Sequence, residues 1–417
     1  MKNRVAITGM GLITPIGSTL AEFWDNLMLG KSGIALTTKC DCSDLPSKIS
    51  GEIKDFEPLN FMDKKEVRRV DLSQQYAVAA AQMAVTDSGL NSGNFNGDRA
   101  GVIIGSGIGG IITFEQQHAL VVEGKPHRIS PFFIPMMIAD MAAGVVSIRF
   151  GFRGPNYAVV SACASGANAI GDAYQIIQRG AADIMITGGT EASITRTAVA
   201  GFCNAKALST RNDEPEKASR PFDKDRDGFV ISEGAGILVL EALEHAKNRG
   251  ARIYGELAGL GMSGDAYHIT APVPTGDGAA RSMAAAIEDA GLSPAEIDYV
   301  NTHGTSTGLG DIAETKALKI VFGDRAARMP CNSTKSMVGH MLGATGAVEA
   351  IAGLLQMKYG KIHRTINLDN PDAECDLYYV HDGPIEQEIN CLISNSFGFG
   401  GHNATLLIKR SLDGNKN

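Results

Sequence analysis

Residues 157–180 read YAVVSACASGANAIGDAYQIIQRG. The stretch Tyr157–Ser161, aromatic and β-branched, predicts a strand. Beyond it Ala167, Ile170, Tyr174 and Ile177 recur at the spacing of one helix face. Arg179 and Gly180 then provide a cation in the last turn and a glycine just past it, which is how helices commonly stop. The next apolar run, Ile184 to Thr187, predicts a buried strand. The order strand, Cys163, helix, strand is that of an α/β fold.

A similar unit follows late in the chain. Thr345, Gly346 and Ala347 precede Val348, Ile351, Ala352 and Leu355, and the segment ends at Lys358 and Gly360. Setting Ser165-Gly166-Ala167 on Thr345-Gly346-Ala347 brings Gly180 onto Gly360, which predicts a degenerate duplication of one module. Further strands are predicted at Val5–Thr8, Gly101–Ile104, Gly236–Leu240, Ile253–Leu257, Tyr299–Asn301, Leu392–Ser394 and Ala404–Ile408. The expected midpoint lies near Gly250, dividing the chain into 1–250 and 251–412. No Pro-rich linker or low-complexity run separates them.

Composition bounds the function. Of 417 residues, 44% are hydrophobic and 20% charged, the balance of a chain that folds. A net charge of -8 argues against a general nucleic-acid binder, which needs a basic balance against phosphates. The opening MKNRVAITGMGLITPIGSTL is interrupted by glycines and Pro15, and reads as a strand, a turn and a helix start rather than a signal peptide. No run reaches the ~18 apolar residues of a membrane span, so the expected location is the cytoplasm. The seven cysteines have scattered spacing, unlike a disulfide framework or a zinc site, and no metal is expected; Cys40 and Cys42 read as ordinary loop thiols.

Several segments carry candidate chemistry. Cys163, between a strand and a helix, is expected at the positive end of the helix dipole, where a thiolate is favoured. A buried structural cysteine is an equal alternative on this segment alone. DYVNTHGTSTGLGD places His303 just after a strand, in the crevice position where α/β sheets bind ligands. Without other motifs, a histidine satisfying loop backbone groups would be the simpler reading. STKSMVGHMLGATG sets Lys335 and His340 ahead of the second helix, within which Glu349 can pair with Lys335. NSFGFGGHN has Gly398, Gly400 and Gly401 around Phe399, a loop able to bring N–H groups close to a ligand or simply to turn a hairpin. VIIGSGIGG offers Gly105, Gly107 and Gly110 in a G-x-G-x-x-G pattern, but no βαβ unit with its acidic residue follows. Close backbone packing is expected there rather than a dinucleotide. In MDKKEVRRVD, Lys64 with Arg68 and Lys65 with Arg69 share one face if helical, either a solvated face or a docking site for an acidic partner.

Together VVSACASG, NTHGTSTG, STKSMVGHMLGATG and NSFGFGGHN resemble the β-ketoacyl-acyl carrier protein synthases, most closely those of type II fatty acid synthesis. GFCNAKALS and RPFDKDRDGFVISEGAG between them extend the resemblance over essentially the whole chain. It implies a thiolase-like fold of two similar halves in α-β-α-β-α layers, a homodimer, and one ketosynthase domain of about residues 2–410.

By similarity Cys163 takes an acyl chain from acyl carrier protein. Malonyl carrier protein then loses carbon dioxide and attacks that thioester, lengthening the chain by two carbons. His303 and His340 would hydrogen-bond the malonyl thioester oxygen, and the N–H groups of Cys163 and Phe399 would form the oxyanion hole, with Phe399 as gate. Lys335 with Glu349, and Asp311 and Glu314, would support the histidines. Thr305 and Thr307 match hydroxyls that contact the pantetheine arm, Ile108 and Phe202 the acyl tunnel, and Gly398 and Gly400 the substrate loop. Lys64, Lys65, Arg68, Arg69, Arg128 and Lys206 fit docking of an acidic carrier. No cofactor is implied beyond the carrier's phosphopantetheine.

Two residues depart from the family pattern: Gly308 stands where proline usually follows HGTST, and Ser232 where a glycine begins GEGAG. They leave a polyketide or secondary-metabolite ketosynthase as the alternative. A non-catalytic partner subunit, which would lack the nucleophile, and a nicotinamide oxidoreductase are the competing classes.

Overall fold

The computed structural model describes residues 2–91 and 93–411. Its first half runs β1 Val5–Ile13, α1 Leu72–Ser88, β2 Ala100–Gly105, α2 Met141–Phe150, β3 Asn156–Val159, α3 Ser165–Gln178, β4 Ile184–Glu191 and β5 Gly234–Ala242. The second runs β6 Gly255–Gly264, α4 Asp277–Asp289, β7 Tyr299–Asn301, α5 Gly308–Phe322, β8 Cys331–Asn332, α6 Thr345–Tyr359, β9 Cys391–Gly398 and β10 His402–Lys409. The second half repeats this set strand for strand, and the first half carries further helices at Leu20–Leu29, Ile111–Val122 and Arg196–Asn204. The predicted strands form, mostly longer than expected, and β8 is added; at two residues it is too short to show a sequence period.

The strands make one ten-stranded sheet in the order β8-β7-β9-β10-β6-β1-β5-β4-β2-β3. In each half the strands that precede or follow a crossover helix pair in parallel, β3-β2-β4 and β8-β7-β9, and two antiparallel strands complete the set. The halves join where Val5, Ala6 and Ile7 of β1 pair with Leu257, Glu256 and Gly255 of β6.

α3 and α6 pack on each other and on strands of both halves, so the two half-sheets face one another across this helix pair. α1 and α2 cover the outer face of the first half, and α4 and α5 that of the second. This gives the five expected layers. The burial of each helix follows its layer. Thr345 to Met357 of α6 are buried on every side, as a helix between two sheets requires. Removing a side chain such as Ile351 or Leu354 from such a close-packed layer costs about 2–5 kcal/mol. α3 is buried at Ala167, Ile170, Tyr174 and Ile177, the face its spacing predicts. Both inner helices stop at left-handed glycines, Gly180 and Gly360.

The layers bring the carboxyl ends of β2, β3, β4, β7, β8 and β9 to one region, and every candidate catalytic residue lies on the segments that leave those ends.

Candidate active site

Cys163 lies in the short turn Ala162–Ala164 between β3 and α3, and is 8% exposed. His303 follows β7, Lys335 and His340 follow β8, and Phe399 sits in the hairpin joining β9 to β10. A cavity of about 290 Å³ is lined by Cys163, His303, His340 and Phe399 together. Ile108, Phe202, Thr305, Thr307, Asp311, Glu314 and Gly398 also line it. Gly400 does not; its N–H donates to the Ile269 carbonyl, outside the cavity.

The imidazoles are perpendicular, with ring centroids 5.4 Å apart. His340 Nδ1 bonds Thr345 Oγ1 at 3.1 Å, and its Nε2 has no protein partner; His303 Nδ1 has none either. Lys335, 1% exposed, donates from Nζ to the His303 carbonyl at 2.5 Å and to Glu349 Oε1 at 2.7 Å. Glu314 accepts the N–H groups of His303 and Gly304, both at 2.8 Å. The backbone of His303 is thus held from two sides. Asp311 acts further along the same loop, accepting the Phe222 N–H at 2.8 Å with Arg226 3.5 Å away, and reaches neither ring. Thr305 and Thr307 hydroxyls lie 3.0 Å apart.

Burial, reinforced by the Lys335 charge, holds both imidazoles well below the usual histidine range. They are neutral at pH 7 and can act as N–H donors or as bases, not as cations. Burial also pushes Glu314 and Glu349 up to about 7 and Asp311 to about 6, against the hydrogen bonds and cations that favour their ionised forms.

The thiol differs from the sequence expectation. Burial pushes Cys163 up to about 12, although the Lys335 charge and the N–H groups of Phe399 and Cys163 pull the other way. A helix end contributes at most ~2 kcal/mol, the equivalent of about 1.5 pH units, less than that rise. Cys163 belongs to one apolar cluster with Val199, Leu208, Phe229, Ile231 and Leu342, surroundings that solvate a thiolate poorly. The free protein therefore holds a thiol, and the nucleophile must form as substrate arrives. The same two N–H groups mark a place where an oxygen beside the sulfur would be stabilised.

Lys64, Lys65, Arg68 and Arg69 line one surface groove with Phe132, whose ring lies 4.8 Å from the Arg69 guanidinium. The expected helix is a single turn, Lys64–Val67, capped by Asp63 and Glu66. Arg128 and Lys206 are exposed but lie outside the groove lining. Cys40 and Cys42 sulfurs stand 3.5 Å apart, and among the described residues no cluster of three metal-ligating side chains occurs. The glycine pattern serves packing: a Cβ on Gly105 would lie 2.3 Å from the Ser165 carbonyl oxygen, and one on Gly110 2.1 Å from that of Met136.

The two departures are both accommodated. Ser232 donates its hydroxyl to the Gly51 carbonyl and its N–H to the His340 carbonyl, each at 3.0 Å. Gly308 is the first residue of α5, and a Cβ there meets nothing within 4 Å. Thr307 before it is extended, φ -100 and ψ 144, the conformation a following proline demands. Gly308→Pro is expected to raise stability by ~0.4–1 kcal/mol in urea unfolding.

Two contributors were missed by sequence reading. Thr345, the partner of His340, was seen only as part of the duplicated motif. Glu191 ends β4 fully buried; an acidic residue closing the apolar run IMITGGTE was the available signal.

Comparison with known proteins follows the same outline. Residues 2–246 match the model of the beta-ketoacyl synthase N-terminal domain, and 254–369 that of the C-terminal domain. The chain is 52% identical over 409 residues to 3-oxoacyl-[acyl-carrier-protein] synthase 2 of Synechocystis sp., covering 98% of each. It is 52% identical over 407 residues to the protein of that name from Staphylococcus aureus, again covering 98% of each. A beta-ketoacyl synthase from Burkholderia phymatum superimposes with a TM-score of 0.92 at 38% identity, covering 99% of this chain and 100% of that one. A type II polyketide ketosynthase, solved in complex with its acyl carrier protein, gives 0.92 at 34% identity and the same coverage.

Proposed function

The chain belongs to the β-ketoacyl synthase family, and from that premise we propose that it elongates acyl chains held on acyl carrier protein, as a condensing acyltransferase of fatty acid biosynthesis. The observation that carries this reading is one cavity in which a thiol, two neutral imidazoles and a pair of N–H groups converge. Identity of 52% to the two synthases, against 34% to the polyketide ketosynthase, favours fatty acid over polyketide synthesis.

In the first step the Cys163 sulfur attacks the carrier thioester. The bond from acyl carbon to pantetheine sulfur breaks, and the thiol proton ends on the departing pantetheine. In the second, malonyl thioester loses carbon dioxide, leaving its bonding pair as an enolate whose oxygen takes hydrogen bonds from His303 and His340. These bonds strengthen as charge develops, so they lower the barrier rather than merely binding substrate. The enolate carbon then attacks the acyl group. Its carbonyl oxygen is held by the N–H groups of Cys163 and Phe399, and Cys163 leaves as thiolate and is reprotonated.

Lys335 fixes the His303 carbonyl, Glu314 its N–H, and Glu349 balances the lysine charge; Asp311 secures the loop beyond. Thr305 and Thr307 suit the pantetheine arm, Ile108 and Phe202 the acyl chain, and Phe399 the gate. No separate cofactor enters this scheme.

The basic groove of Lys64, Lys65, Arg68 and Arg69, with Arg128 and Lys206 beyond it, suits docking of an acidic carrier protein. Tyr157 and Val160 are exposed on and beside the open edge strand β3, a surface suited to a homodimer. The halves, residues 1–250 and 251–412, act as one unit of about residues 2–410; residue 412 itself lies outside the described residues. Among those, no helix is long and apolar enough to cross a membrane, and we place the enzyme in the cytoplasm.

Wild-type protein incubated with acyl-loaded carrier protein should gain the acyl mass on the peptide bearing Cys163. With malonyl carrier protein it should then release carbon dioxide and a product two carbons longer. An adduct on another residue would overturn the reading.

A further inference from the structure

Glu191 is fully buried at the end of β4, and no ion pair to it is formed among the described residues. Its Oε2 accepts the Gly107 N–H at 2.7 Å and the Gly343 N–H at 3.0 Å. Its Oε1 accepts the Ser106 hydroxyl at 3.1 Å and the Ile108 N–H at 3.2 Å. Ser106 to Ile108 follow β2 in the first half, and Gly343 lies in the turn before α6 in the second, so one carboxylate ties the two halves together. The ties end at the cavity: Gly107, Ile108 and Leu342, which is next to Gly343, all line it.

The internal duplication explains the arrangement. Aligning Ser165 with Thr345 puts Cys163 on Gly343, and both lie in short turns preceded by a left-handed residue, Ala162 and Leu342. β4 and β9 are each eight residues long, which puts Glu191 on Gly398. At Gly398 a Cβ would stand 3.1 Å from the Cys163 nitrogen. There glycine leaves an N–H of the turn free beside the sulfur. At the equivalent place in the other half, the Glu191 carboxylate takes up the N–H of Gly343. The fold thus contains two related N–H pockets, one open beside the nucleophile and one filled by the protein's own carboxylate. Gly343 must be a glycine for this: a Cβ would lie 2.4 Å from the Gly107 nitrogen and 2.9 Å from Glu191 Oε2.

We propose that Glu191 is a positioning residue for the acyl chain, holding Ile108 and Leu342 in place in the cavity wall by accepting hydrogen bonds from both halves at once. This rests on the acyl-transfer reading above. Three of the four contacts are backbone N–H donors and the fourth is a hydroxyl able to donate, so the site fits a carboxylate better than an amide even though burial pushes Glu191 up to about 7. In Glu191→Gln the amide oxygen can serve Gly107 and Gly343, but the amide nitrogen then faces the Ile108 N–H, two donors with no acceptor. The Ile108 segment is released; the Glu191 charge, which helps to raise the Cys163 thiol, is removed as well, a change common to substrates of every length. A chain long enough to pass Ile108 loses contacts that a short one never makes.

The experiment compares condensation of hexanoyl- and palmitoyl-carrier protein by wild type and Glu191→Gln. The palmitoyl to hexanoyl ratio of kcat/KM is expected to fall about tenfold, the contact worth of roughly two methylenes, with the change in KM. An unchanged ratio, or a parallel fall for both substrates as from general loosening, overturns the proposal. If Glu191→Gln does not fold, Glu191→Asp keeps the charge one methylene short, and its ratio must fall in the same direction or the proposal fails. Wild type that elongates neither substrate would instead refute the acyl-transfer reading, so the two failures are distinguishable.

Discussion

Cys163→Ala protein is expected to take up no acyl mass from acyl carrier protein and to lose condensation by on the order of 10⁴-fold or more, while still releasing carbon dioxide from malonyl carrier protein. The first part follows because no other side chain in the cavity can hold the acyl group next to the N–H groups of Cys163 and Phe399. The second follows from what holds the histidines. Lys335 and Glu314 fix the His303 backbone, and Thr345 bonds the His340 ring; none of them depends on the sulfur. Backbone N–H groups survive the substitution, and loss of one sulfur from an otherwise apolar pocket should leave the fold intact. Intact-protein mass spectrometry reads the adduct, and labelled carbon dioxide reads the decarboxylation. An adduct on the variant, or decarboxylation lost together with condensation, would contradict this division of labour.

The helix after Cys163 was legible because its apolar face and its stop at Gly180 are local signals. The duplication was visible only in the inner helices, α3 and α6, where two glycines stop equivalent segments; the equivalence of all ten strands emerges only from their pairing order. Cys163 shows the limit of local reading. Its place at a helix start was correct, but its acidity depends on Phe229, Ile231 and Leu342, which are remote in sequence and join its apolar cluster only after folding. Glu191 was missed for a related reason. The acid at the end of a buried strand was visible as an exception, but its role was not, because its donors come from residues 106–108 and 343. The basic cluster was legible as a group, since the cations four apart do line one groove, although the helix there is a single turn, Lys64–Val67. Ile108, Phe202 and the paired threonines were reached through family resemblance alone, because tunnel walls carry no period of their own.

His303→Ala should slow malonyl decarboxylation by about 10²–10³-fold, the usual effect of removing one donor to a developing oxyanion. Acyl loading of Cys163 should fall by less than about tenfold, because its oxyanion is served by the N–H groups of Cys163 and Phe399 rather than by imidazole. The role requires a neutral ring. Both histidines are held well below 6.5, by burial first and the Lys335 charge next, so each remains unprotonated from pH 6 to 8. The wild-type decarboxylation rate should accordingly show no histidine step across that range. Glu314 and Glu349, pushed up to about 7, titrate in the same range, so the rings are followed directly by NMR; an imidazole step near 6.5 there would mean that the ring is solvated and that the cavity does not exclude water. Acyl loading that fails as badly as decarboxylation would assign His303 to the nucleophile instead, as the base that removes the proton the buried thiol retains. Single-turnover measurements of the two half-reactions separate these outcomes. They test whether burial, which keeps Cys163 protonated, also keeps the imidazoles neutral and able to donate.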